Sequence, residues 1–328
     1  MANSSGGSCP WATLYTAAGS AKYVEYHDQD WGRPKVNDQV LFEMIVLELN
    51  QAGLSWATIL NKRDNFRRAY AGFNIGKVAG WCLNTADIEK TDKKQIFRAK
   101  VKPGVLKKLL ADSGIIRNRS KIEAAVQNAV VVRRLQRRYG SFAAYLWGLM
   151  PDSPPCGAAA LPVVQNSFAS MADIPAKTAL SDAISKRLVK EGMKFLGSTT
   201  IYAYMQSCGF VNDHLVTCQK HAVCTRLCRS IVPAQFLKSI QKAREDVQAC
   251  GYVAPDAGTG IVLPPNVGKV QAEGAQKAMT PRRAAAMKKP AGAMKRANSA
   301  SLPKRLSIVM KTVKKSKGRA TRTAMRRS

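Results

Sequence analysis

Acidic residues are scarce in this chain. Its 328 residues hold 52 Lys and Arg against 21 Asp and Glu, a formal net charge of +31. That excludes an acidic solvating chain and an ordinary near-neutral cytosolic enzyme. It makes a polyanion the expected partner, nucleic acid before a membrane surface. Long apolar runs are missing too: none approaches the ~20 residues that span a bilayer. Eight cysteines are too few for a disulfide scaffold at this length, which leaves reduced thiols or metal ligands. Strand-like alternation is rare and no internal repeat is evident, so the expected class is all-α. Residues 1–8 are Ser/Gly-rich and read as a flexible N-terminus. The stretch from Met1 to Trp11 is uncharged and lacks the basic-then-apolar order of a secretion signal. What the chain does have is 46% hydrophobic residues, enough to build a core.

The positive charge is unevenly spread. Residues 251–328 carry 18 Lys and Arg against only Asp256 and Glu273. From Val253 to Val267 the chain is punctuated by Pro and Gly, as a linker would be. Beyond it come Pro281-Arg282-Arg283, Lys288-Lys289, Lys304-Arg305, Lys314-Lys315 and Arg326-Arg327, with no aromatic residue. Such a segment cannot offset its ordering entropy by burial and is expected to be disordered. Basic blocks of this kind predict contact with nucleic acid or with import machinery, and so a nuclear protein, or a cytoplasmic one if the source is bacterial. The bland alternative is a solubilising extension.

The first 250 residues read as helices. Asp38 is the predicted N-cap of 39–51, where Leu41, Phe42, Met44, Ile45, Val46, Leu47 and Leu49 cover nearly every face, as in a buried helix. Further helices are predicted over 178–191, 198–208 and 233–248, with a proline-rich loop over 152–162. A short helix at 106–113, a turn at Gly114-Ile115-Ile116-Arg117 and a long helix at 121–138 form a helix–hairpin–helix pattern. The free N–H groups of the second helix would bind a phosphate without reading a base, and Arg117, Arg119 and Lys121 would add charge.

Three groups of residues invite chemistry. Glu48 shares a helical face with Leu41, Ile45 and Ala52, so periodicity leaves two readings open: a desolvated carboxylate, or a helix-edge Glu paired with an Arg. Aromatics with polar tips (Tyr23, Tyr26, Trp31, Trp56) gather near it in sequence. They would either stack on a planar base or fill a core. His214 and Cys218, at i and i+4, would present two metal ligands on one helical face. Cys9 and His27 could complete a closed, structural Cys2His2 site; Cys218, His221, Cys224 and Cys228 form a local rival, and ordinary buried thiols a third reading.

Together these strings resemble the DNA-3-methyladenine glycosylase I family. The resemblance is carried by Cys9-Pro10-Trp11, Tyr26-His27-Asp28 with Trp31-Gly32 and Pro34, and Leu41-Phe42-Glu43-Met44-Ile45 with Leu47-Glu48. It continues in Gln51-Ala52-Gly53-Leu54-Ser55-Trp56, in Gly114 to Ile122, in Lys194-Phe195 with Gly197 and Thr199, and in Met205-Gln206 through Val211-Asn212-Asp213-His214 to Cys218. It implies an all-helical helix–hairpin–helix glycosylase fold over residues 9–250, with Gly114 in the DNA clamp and Cys9, His27, His214 and Cys218 as ligands of one structural Zn2+. It implies a base pocket of Trp11, Tyr23, Tyr26, Trp31, Glu48 and Trp56, with Glu48 and Tyr26 catalytic. The implied activity is a monofunctional hydrolase, probably monomeric in action, that flips 3-methyladenine out of alkylated double-stranded DNA and leaves an abasic site. A non-catalytic or differently specific DNA-binding member of the fold is the alternative. A basic insertion at 90–108, the extra helix at 233–248 and the tail depart from the family's pattern without touching a matched pocket residue.

Overall fold

The computed structural model describes residues 7–13, 21–89, 98–152, 160–230 and 232–255. Residues 1–6, most of the insertion and the basic tail from 256 onward lie outside them. The first half of the fold runs through α1 (Pro10–Thr13), α2 (Ala21–Gln29), α3 (Asp38–Gln51), α4 (Trp56–Asn61), α5 (Arg63–Ala69), α6 (Ile75–Ala79) and α7 (Thr85–Glu89). It continues with α8 (Pro103–Ala111), α9 (Arg119–Tyr139), α10 (Phe142–Gly148), α11 (Ala179–Lys190), α12 (Ser198–Ser207), α13 (Gln219–Cys228) and α14 (Ala234–Ala249). Two short strands, β1 (Val164–Gln165) and β2 (Val211–Asn212), pair in parallel.

Helix α3 is the hub. It is buried from Leu41 to Asn50 on every face, as its unbroken apolar run requires, and packs against α4, α9, α10 and α12. Its N-cap is Asn37, whose Oδ1 accepts from Gln39 N at 3.0 Å and Val40 N at 3.1 Å. Asp38, the predicted cap, is instead the first helical residue. Its carboxylate accepts from the backbone of Phe142 (2.9 Å) and Ala143 (2.8 Å) and from Gln136 Nε2 (2.7 Å). It therefore neutralises the start of α10, a helix it cannot be linked to by local pattern.

The C-terminal extension is part of this core. Ile240, Ala243 and Val247 of α14 are buried, and α14 lies so close to α10 that a Cβ on Gly148 would fall 3.0 Å from Ala243 Cβ. Tyr252 is buried as well and donates to Leu149 O at 2.8 Å, so the packed chain reaches past the expected boundary at 250.

The turn between α8 and α9 is tied from both sides. Gly114 N donates to Asp112 Oδ1 at 2.7 Å, Asn65 Nδ2 donates to Gly114 O at 3.2 Å, and Lys62 Nζ donates to Ser113 O at 2.8 Å. Asn118 then caps α9 by accepting from Lys121 N at 3.1 Å. The two helices and the turn are thus where the sequence predicts them, one to three residues longer at their starts.

Candidate active site and metal centre

Helix α2 carries two kinds of chemistry. Tyr23 and Tyr26, three residues apart, share a face, and His27 follows; all three are buried. His27 Nε2 lies 3.6 Å from Cys218 Sγ, while His214 Nδ1 lies 3.6 Å from Cys9 Sγ and 3.7 Å from Cys218 Sγ. The four ligand atoms are all within 4.8 Å of one another and all four residues are buried. Metal–sulfur bonds of ~2.3 Å and metal–nitrogen bonds of ~2.0 Å around a tetrahedron put neighbouring ligands about 3.3–3.8 Å apart, in keeping with these contacts.

The far nitrogen of each imidazole is also held. His27 Nδ1 is 2.7 Å from Asp28 Oδ1, and His214 Nε2 is 3.3 Å from Trp31 O. Both rings thereby turn a lone pair toward the thiols, as metal-ligating imidazoles do. The hydrogen bond between the two thiols pulls Cys218 far below the ordinary thiol range and raises Cys9 well above it. Such a cluster of two thiols and two imidazoles can hold a metal ion with no position left open.

His214 and Cys218 reach this cluster by a route their spacing does not suggest. They lie on the turn between β2 and α13, with Cys218 as the N-cap of α13, rather than on one helical face. Side chains impose the turn. Asp213 accepts from Tyr202 Oη (2.6 Å), Asn166 Nδ2 (2.6 Å) and Gln206 Nε2 (2.8 Å), and Asn212 Nδ2 donates to His221 O at 3.1 Å. The local rival cluster does not assemble: His221 Nε2 is 2.8 Å from Asn166 O, and Cys228 is disulfide-bonded. Two glycines allow the close packing. Gly32, at φ +74°, would place a Cβ 2.9 Å from the His214 ring, and Gly209, at φ +70°, would place one 2.2 Å from Arg33 C.

Aromatic rings join this cluster to a second site. Trp11 meets Tyr23 (5.5 Å), His27 (5.1 Å) and Trp31 (5.0 Å) edge-on, and Trp31 meets His214 at 4.6 Å. Trp11 and Trp31 thus pack directly on the ligand rings. On the other side, Tyr26 lies 5.3 Å from Trp56, tilted by 49°. The indole Nε1 of Trp56 is buried with no hydrogen-bond partner among the described residues, a donor open to an incoming acceptor.

Glu48 belongs to this second site. It is 4% exposed, and burial pushes its carboxyl up to about 8, against the opposing pull of a hydrogen bond with Ser207. The Arg-paired reading of a glutamate on α3 applies to its neighbour instead: Glu43 accepts from Arg63 Nε at 2.6 Å and from Arg67 Nε at 3.1 Å. Among the described residues no such ion pair neutralises Glu48. Burial first, and the Glu48 charge second, push the Tyr26 phenol well above its ordinary value, so it stays a donor.

The charged residues near the α8–α9 turn divide. Arg117 and Arg119 are exposed, and Arg119 Nε donates to Glu123 at 2.9 Å. Lys121 turns inward. Its ammonium donates to Asn50 O and Ala52 O, both at 2.7 Å, satisfying the carbonyls at the end of α3, so its charge is not presented at the surface. Sequence reading also passes over Ser207, Lys35 and Arg63, which brace the site from separate parts of the chain. Arg63 bonds Asp30 and Glu43, and Lys35 bonds Asp30 O (2.6 Å) and Ser207 O (2.7 Å).

A helical enclosure holding a buried, unpaired acid beside Tyr and Trp rings, next to a closed Cys/His cluster, defines a site for a planar cationic ligand. The chain belongs to the methyladenine glycosylase family, whose model matches residues 16–105 and 99–221. It is 38% identical over 196 residues to DNA-3-methyladenine glycosylase 1 of Escherichia coli (strain K12), covering 60% of this chain and 89% of that protein. It is 35% identical over 210 residues to DNA-3-methyladenine glycosylase of Haemophilus influenzae, covering 64% and 95%. A crystal structure of 3-methyladenine DNA glycosylase I superposes with a TM-score of 0.53 at 34% identity, covering 65% of this chain and 98% of that one. The Staphylococcus aureus enzyme, solved to show the structural basis of 3-methyladenine recognition, superposes with a TM-score of 0.51 at 27% identity, covering 62% and 93%.

Proposed function

We propose that this protein is a base-excision repair glycosylase: it extrudes 3-methyladenine from alkylated duplex DNA, hydrolyses its N-glycosidic bond and leaves an abasic site. The observation that carries this reading is Glu48, a buried acid without a cationic partner, set beside Tyr26 and Trp56 in a chain of this family.

Methylation at N3 makes the adenine cationic and its glycosidic bond weak, so little acid catalysis is needed. The protein must take the base out of the stack, reject neutral adenine and stabilise positive charge. Trp56 stacks on the cationic ring, a contact of roughly 1–2 kcal/mol. Glu48 and Tyr26 hydrogen-bond its edge, with Tyr23, Trp11 and Trp31 supporting the wall. A desolvated carboxylate gains a counter-charge only from the methylated base, and this sets the selectivity. Lys121 has its ammonium committed to two backbone carbonyls, which fits a hydrolase without a lysine nucleophile.

Gly114 and the start of α9 act as a helix–hairpin–helix phosphate clamp, flanked by Arg117 and Arg119. The Cys9, His27, His214 and Cys218 set fits one zinc, which would tie the start of the chain to the turn before α13 and take no part in the reaction. The protein works as a monomer, and the basic tail adds phosphate contacts and a nuclear import signal. The deciding experiment is release of methylated bases from alkylated duplex DNA. Free 3-methyladenine in the soluble fraction is the expected result; no release by folded protein would refute the reading.

A further inference from the structure

The end of α12 sets a hydroxyl against Glu48. Ser207, the last residue of that helix, is 1% exposed, and its side chain is hydrogen-bonded to that of Glu48. Its Oγ also lies 3.0 Å from Tyr204 O, one turn back. That carbonyl already accepts from Cys208 N at 2.9 Å, so it does not depend on the serine. The surroundings fix the hydroxyl's position. Lys35 Nζ holds Ser207 O at 2.7 Å and the Asp30 carboxylate at 3.0 Å, and Tyr204 Oη donates to Leu41 O at 3.2 Å. The helix end is thereby pinned to the segment after α2 and to the start of α3.

A serine hydroxyl has one proton and two acceptor lone pairs. When Glu48 is neutral, its carboxyl O–H donates to Ser207 Oγ and the serine proton goes to Tyr204 O. When Glu48 is a carboxylate, the hydroxyl rotates and donates to it, and Tyr204 O keeps its bond from Cys208. Either way no buried group is left unpaired, which elsewhere in a core costs roughly 1–3 kcal/mol.

We propose that Ser207 is a positioning residue for base excision, a rotating hydroxyl that holds Glu48 in place in both protonation states and donates to its carboxylate as the cationic base enters. The proposal rests on the glycosylase reading above. The proton that leaves neutral Glu48 passes to solvent, so a neutral acid becomes a carboxylate paired with a cation and the site stays neutral throughout.

Other groups face Glu48 as well. Tyr26 from α2, and Tyr204 and Cys208 from the end of α12, are each made harder to ionise by its charge. From α9, Lys121 is occupied at the end of α3, and from α10, Tyr145 is engaged by Arg187. Helix α4 brings no titratable side chain.

The test is single-turnover release of 3-methyladenine from alkylated duplex DNA across about pH 5 to 9, for the wild type, Ser207→Ala and Ser207→Thr. Melting temperature is measured for each. Losing a donor to a carboxylate should slow Ser207→Ala by about tenfold near neutral pH. It should also move the acidic limb of the profile to higher pH, because the charged form of Glu48 has lost support. Ser207→Thr, which keeps the hydroxyl, should restore both. An unmoved limb in folded Ser207→Ala, whether the rate is intact or lowered equally at every pH, overturns the proposal. Absence of release by the wild type is a separate outcome, and it overturns the glycosylase reading itself.

Discussion

Glu43 and Glu48 stand on one helix and meet opposite fates. Glu43 faces Arg63 and Arg67, and ion pairing makes its burial tolerable. Glu48 faces Tyr26, Ser207 and the aromatic wall, and burial pushes its carboxyl up to about 8. Two consequences of Glu48→Gln separate the residue's functional role from its structural cost. Excision should fall by about 100-fold, since charge is removed where the cationic base sits; single-turnover release measures this. Stability should respond in the other direction. Below the ordinary carboxylate range both folded and unfolded chains hold the Glu48 proton. Between there and about 8 the folded chain keeps it while the unfolded chain has lost it, so wild-type stability declines as pH rises through that window. The glutamine variant lacks this decline. Its melting temperature relative to wild type should climb from acid to about pH 8, reflecting on the order of a few kcal/mol. Equal melting curves at both ends of that range would mean that Glu48 is satisfied in some other way.

At the scale of elements, the helices were legible because their apolar patterns and caps are local, while the joints between them were not. Asp38 shows why: its carboxylate serves α10, far along the chain, and from sequence it looks like the cap of its own helix. Lys121 is the same kind of case. A lysine at the start of α9 reads as a phosphate contact, but the unsatisfied carbonyls at the end of α3 claim it. Lys121→Met should therefore lower the melting temperature and leave the salt dependence of DNA binding unchanged. Arg117→Ala should do the reverse, flattening the log–log salt slope by roughly one phosphate's worth with little change in melting. The metal ligands were legible as residue types, although the turn that presents His214 and Cys218 is built by Asn212 and Asp213, whose partners no spacing rule reveals. Purified protein should hold about one zinc per chain, and Cys9→Ser should lower zinc content and melting temperature together. Cys224→Ser should keep the zinc. Metal retained in the first variant and lost in the second would move the site to the α13 cysteines.

Over the whole molecule the charge falls into two parts with different tasks. The helical body carries the base site, and Tyr252 is the last residue whose side chain is seen bonded into it, through Leu149 O. Residues 251–328 hold 18 Lys and Arg with two acids, and every matched pocket residue lies far upstream of them. Charge so concentrated and so remote in sequence can neutralise phosphates without shaping a base pocket. Each phosphate neutralised on duplex DNA contributes roughly −0.9 to the log–log salt slope, so removing residues 256–328 should flatten that slope by several units and weaken binding most at low salt. Single-turnover excision at saturating enzyme should stay nearly unchanged, because saturation hides the lost affinity and the chemistry lies elsewhere. A fluorescent fusion should also lose nuclear accumulation, with Pro281-Arg282-Arg283 and Lys288-Lys289 as the blocks to restore first. If the truncated protein binds with its full salt slope, the phosphate contacts belong to the body, with Arg117 and Arg119 the first to test. If it binds but no longer excises, the tail takes part in forming the catalytic site, and the division of labour drawn from the charge pattern is wrong.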